Sequence, residues 1–131
     1  MGSRSSDDSA RKCILLLGAG SLADATQRAL EASGASVQRL RDPGDADIRE
    51  TLGEEVDSVV IISKDDHVSL RLALVVENVR PGLPLIATVH GRILAAQLER
   101  VVENARVMSR ADIVAPALAA VCFEEGLLMV R

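Results

Sequence analysis

Aromatic residues are almost missing: the chain has no tryptophan, no tyrosine and one phenylalanine. That removes the platforms on which single-stranded nucleic acids usually stack. Bulk positive charge is missing too, with 15 Lys and Arg against 19 Asp and Glu, a net charge of −4 and a sequence pI near 5.1. Because phosphate neutralisation dominates nucleic-acid affinity, no nucleic-acid partner is expected. Cysteine is scarce: Cys13 and Cys122 lie far apart without metal-ligand spacing and read as reduced core thiols. No apolar run approaches the ~20 residues a membrane span requires, and no secretory leader is recognisable. The expectation is a reduced, cytoplasmic protein whose link to a membrane, if it has one, runs through a partner.

What is present is enough apolar material for one domain with a real core, 48% of 131 residues. Met1 to Ala10 is polar, Ser-rich and aperiodic, as a disordered tail or expression leader would be; residues 11–131 read as the single domain. From Cys13 onward, short apolar runs alternate with segments of helical period. That alternation predicts an α/β fold, a three-layer, Rossmann-like, doubly wound parallel sheet with helices on both faces.

The run Cys13 to Leu17 is continuous rather than alternating, as a strand buried on both faces should be. A helix is predicted over Ser21–Ser33, closed by Gly34, then a weaker strand over Ser36–Arg41 and a turn at Asp42-Pro43-Gly44-Asp45. A short helix with Ile48, Leu52 and Val56 leads to a third strand at Asp57–Ile62. Asp65 and Asp66 are placed to cap the next helix, whose body, Val68 to Arg80, is apolar on most sides; it is either deeply packed or at a subunit contact. Leu85–Val89 reads as the fourth strand, Arg92–Val102 as an amphipathic helix, residues 105–108 as a fifth strand, with a last helix after Pro116.

Gly18-Ala19-Gly20-Ser21-Leu22-Ala23 is a G-x-G-x-x-A turn between a predicted strand and a predicted helix. In that context Gly18 allows the tight turn, Gly20 lets a pyrophosphate approach the backbone, and Ala23 permits close helix–strand packing. The helix N-terminus offers free N–H groups to the anion. The competing reading is a glycine turn kept only for packing. An acidic residue about 20 positions on would grip a ribose, but Arg41 stands where it is expected and Asp42 follows. Three readings are open: a one-residue slip, a phosphate partner at Arg41, or a degenerate adenosine pocket.

His67 and His90 follow the third and fourth strands. In a 3-2-1-4 strand order they would stand roughly 14 Å apart, too far to share one ion. His90, at the carboxyl end of its strand, is a candidate ligand contact; His67 and the Asp65-Asp66 pair read as a helix start. A small NAD(P)-binding oxidoreductase domain is set aside because there is no tyrosine for a Tyr-Lys relay and no second domain to shield a hydride. A phosphoacceptor receiver normally needs an acidic pair after the first strand, where this chain has Gly-Ala-Gly.

Three segments resemble the regulator-of-potassium-conductance N-terminal domain, the RCK, TrkA-N or KTN domain. They are ILLLGAGSLA from Ile14 to Ala23, DSVVIISKDDHVSLRL from Asp57 to Leu72, and MSRADIVAPALAA from Met108 to Ala120. The resemblance spans Lys12 to about Val121 and implies a non-enzymatic cytoplasmic module at the inner face of the membrane, serving a potassium channel or transporter. It implies an adenine nucleotide, NAD(H), ATP or ADP, with Gly18, Gly20, Ser21 and Leu22 at the phosphates, Ala19 among the cofactor-binding residues of the same turn, Arg41 and Asp42 at the ribose, and Ser63 and Lys64 on the adenosine side. It also implies homodimers that stack into gating rings, the chain being part of a longer channel or a stand-alone subunit. The sequence departs from the family's pattern at Ser69, where an Asn is common, and at Thr88, where an Arg is common. A nucleotide-free oligomerisation scaffold or an ion-sensing module is the alternative.

Overall fold

The computed structural model describes residues 12–53, 55–102 and 105–109. Among them, five strands, β1 (Cys13–Gly18), β2 (Ser36–Leu40), β3 (Ser58–Ile62), β4 (Leu85–Val89) and β5 (Ala105–Ser109), alternate with four helices. The helices are α1 (Ser21–Ala32), α2 (Asp45–Thr51), α3 (Asp66–Val79) and α4 (Arg92–Val101). All strand pairs are parallel, in one sheet ordered β2-β1-β3-β4-β5. The leader at residues 1–10 and the helix expected after Pro116 lie outside the described residues.

The continuous apolar runs are legible in this architecture because each strand feeds two cores. Leu15 and Leu17 of β1 face the side of α2, α3 and α4, where Val59, Ile61, Leu85 and Ala87 meet Ile48, Leu72, Val76 and Leu98. Ile14 and Leu16 face the other side, with Val60, Ile62 and Ile86 against Ala23 and Leu30 of α1. At about 1.5–3 kcal/mol for each large side chain fully buried, β1, β3 and β4 supply about half of the buried apolar side chains among the described residues. Among the described residues β2 pairs with β1 alone and is half-exposed, which is why its sequence, SVQRL, reads weakly.

The 3-2-1-4 order expected from the sequence is corrected by this sheet. β3 lies beside β1, not beyond β2, and β4 lies directly beside β3. Hence the strand separation invoked for His67 and His90 does not exist. Doubly wound sheets take their ligands outside the carboxyl ends of the strands at the point where the order reverses; for the order 2-1-3-4-5 that point is between β1 and β3.

The helix ends follow local chemistry. Gly34 takes φ +102° after α1, and the N–H groups of Gly34 and Ala35 return to the carbonyls of Glu31 and Leu30 at 3.0 and 3.1 Å, a Schellman ending. Asp65 caps α3, its Oδ1 accepting the His67 N–H at 2.9 Å. The apolar body of α3 is largely explained by packing: Ser69, Leu72, Ala73 and Val76 are buried, and Leu74 is left 42% exposed.

Candidate functional site

β1 ends at Gly18, whose register partner is Ile62 at the end of β3. A Cβ on Gly18 would run into the Ile62 carbonyl oxygen, and its φ is +149°, so glycine is required for two strands to close at the switch point. Gly20 has φ +100° and open space where a Cβ would be. It is also the N-cap of α1 and offers no side-chain cap; the Asp24 N–H is the first to bond back, to the Gly20 carbonyl at 2.9 Å. The N–H groups of Ser21, Leu22 and Ala23 are therefore the helix's orphan donors.

Around this turn is a depression of about 490 Å³, within the usual range of about 300–1,000 Å³ for small-ligand sites. Gly18, Ala19, Gly20, Arg41, Asp42, Ser63 and Lys64 all line it, together with Pro43, Ile62, Val68, Arg71 and Leu72. The chain thus brings together seven of the ten residues singled out in the sequence. Leu22 instead packs against the α1-side core, and Ser21 is exposed at the first turn of α1. His90 is not in the lining: it follows β4, one strand past the β1–β3 gap, with its N–H on Asp66 Oδ1 at 2.8 Å and its Nδ1 3.6 Å from the same oxygen.

Residues that the sequence does not single out hold the crevice in shape. Arg39, on β2, donates from Nε to the Gly18 carbonyl at 3.0 Å and from Nη1 to Gln27 at 3.1 Å, and pairs with Asp24 at 2.7 Å. That guanidinium, donating to the Asp24 carboxylate, holds Asp24 below the ordinary carboxylate range against some desolvation, with Arg41 and Arg28 adding to the effect. Arg41 itself stands 4.0 Å from Asp24. On the other wall, Thr88 Oγ1 accepts the Ser63 N–H at 3.1 Å, and Ser69 Oγ donates to the Thr88 carbonyl at 2.9 Å. The two departures from the RCK pattern therefore bond to one another and fix the end of β3.

Asp66, in the first turn of α3, accepts the N–H groups of His90 and Gly91, both at 2.8 Å. Burial opposes its ionisation, yet those two N–H groups and the His90 ring hold its carboxyl below the ordinary range. His67 lines a different, mainly apolar depression with Leu70, Leu74 and Val75. Among the described residues no three His, Cys, Asp or Glu side chains cluster as a metal site. No described helix is long and apolar enough to cross a membrane.

Chemically, the crevice presents cations from separate elements, Arg41, Lys64 and Arg71, with Asp42 the carboxylate among the described lining residues. Backbone donors, open space over Gly20 and cationic side chains fit a phosphate group.

No family model matches the chain, and no curated protein matches it. Among solved structures, it is similar to a response regulator receiver protein from Sinorhizobium medicae WSM419, with a TM-score of 0.66 at 19% identity over 88% of this chain and 94% of that one. It is also similar to the GsuK channel, with a TM-score of 0.64 at 19% identity over 86% of this chain and 34% of that one, so it spans about a third of the channel protein. At such identities both likenesses speak to the fold, and the fold they share with this chain is the doubly wound, Rossmann-like α/β sheet.

Proposed function

We propose that this chain is a non-enzymatic regulatory module that binds a phosphate-bearing adenine nucleotide, NAD(H), ATP or ADP, in the β1/β3 crevice and passes its occupancy to a potassium channel or transporter through contacts between copies. The observation that carries the ligand half is the convergence, at the switch point, of an open Gly20, the uncapped start of α1 and the cations Arg41 and Lys64. The partner half is supported by the three RCK-like segments and by the likeness to part of the GsuK channel. The receiver likeness lends less to a phosphoacceptor function, because Gly18-Ala19-Gly20 stands where an acidic pair would be needed. A ligand acts here only through different affinities for two arrangements of the assembly.

A second reading, a nucleotide-free scaffold, is favoured by one observation. Gly18 is accounted for by its approach to Ile62, and its carbonyl is already held by Arg39.

Thermal-shift and calorimetric titrations with NAD⁺, NADH, NADP⁺, ATP, ADP and AMP separate the two. Binding predicts stabilisation of about 2.7 kcal/mol at a hundredfold excess of ligand over Kd. Gly20→Asp, which puts a carboxylate in the open space, abolishes it; because that position is strained for any side chain, Lys64→Glu is the partner variant. No shift with any nucleotide, in a folded protein, would overturn the ligand half and leave the nucleotide-free scaffold or the ion-sensing module.

A further inference from the structure

Arg71 is the residue that the two depressions share: it lines the β1/β3 crevice, and it lines the apolar hollow beside α2 with His67 and Leu70. Its Nη1 is 2.8 Å from Oδ1 of Asp45, the first residue of α2, and both side chains are 48% exposed. An exposed pair of this kind is weakly held, so a better anion exchanges for the carboxylate. A phosphate is such an anion, since it offers more charge and accepts the guanidinium fork through two oxygens.

Position adds a constraint on the anion's size. α1, whose N-terminus faces the glycine turn, packs on one side of the sheet, and α3, which carries Arg71, packs on the other. Lys64, after β3, and Arg41, after β2, stand at further points of the same rim. A single phosphate at the start of α1 would meet one side of the crevice, whereas linked phosphates could meet cations on both sides.

Resting on the reading of the crevice as a nucleotide site, we infer that Arg71 is a specificity-determining residue, which leaves Asp45 for the distal phosphate of the ligand. The crevice then selects nucleotides with two or more linked phosphates over monophosphates.

The test is calorimetric titration of ATP, ADP and AMP, at fixed ionic strength, into wild type, Arg71→Gln and Asp45→Asn, with thermal melts showing that each variant is folded. ATP binds wild type about tenfold more tightly than AMP, the scale of one charge-assisted contact at a partly exposed site. Arg71→Gln lowers ATP affinity about tenfold and leaves AMP within about twofold, and Asp45→Asn raises ATP affinity by removing the competitor. Equal losses for ATP and AMP in Arg71→Gln, or an unchanged ATP affinity in either variant, overturn the inference while leaving the nucleotide site standing. Absence of any nucleotide binding to wild type overturns the site itself, and the role of Arg71 with it.

Discussion

Gly18 and Gly20 carry the same side chain, two residues apart, for different reasons. Gly18→Ala puts a Cβ against the Ile62 carbonyl at a backbone angle that alanine avoids, and the predicted cost is roughly 2–4 kcal/mol. Gly20→Ala meets open space and is strained only by its backbone angles, for about 1–3 kcal/mol. Urea denaturation of both variants measures the difference; equal costs would contradict the close approach of β1 to β3. The glycine turn was legible in the sequence as a pattern, but the packing duty of Gly18 was not, because it depends on which strand lies beside β1. Asp66 gives a pH prediction at the same scale. Its folded pKa lies below the ordinary 3.8, so its contribution to stability is complete above that value and is lost as pH falls below it. Asp66→Asn removes that acid-side dependence, seen as a flatter stability profile below pH ~4; an unaltered profile would mean that the N–H groups of His90 and Gly91 do not stabilise the charge.

Elements were legible in proportion to their burial. β1, β3 and β4 are buried along nearly their whole length and read as continuous apolar runs, whereas β2, with one neighbour among the described residues, shows only a weak pattern. α2 is seven residues long, too short to persist alone, and is anchored by the fully buried Ile48. Ile48→Ala is predicted to cost about 2–5 kcal/mol. Because Asp45 opens the same helix, the variant should also loosen the Asp45–Arg71 pair, read as faster amide exchange across residues 45–51. A small cost with unchanged exchange would mean that α2 is held by something other than its core residue. The polar ties that shape the crevice, Arg39 to Gly18 and Ser69 to Thr88 to Ser63, were not legible, since each joins residues remote in sequence.

For the whole molecule, the strand order differs from the one expected from the sequence, although the sequence carries a signal for it. A 3-2-1-4 order makes the second strand interior and the third an edge; SVQRL is the polar, edge-like segment, and SVVII is the fully buried one. The order β2-β1-β3-β4-β5 moves the switch point to the gap between β1 and β3, and so brings Ser63 and Lys64 beside the glycine turn while leaving His90 outside. The proposed binding of a phosphate-bearing nucleotide in this gap can be read residue by residue from an amide NMR titration of the isotopically labelled chain with ATP. The predicted result is saturable shifts concentrated at residues 18–22, 41–42 and 63–64, and lost in Lys64→Glu. Shifts confined to the apolar hollow beside α2, or none at millimolar ATP, would contradict it.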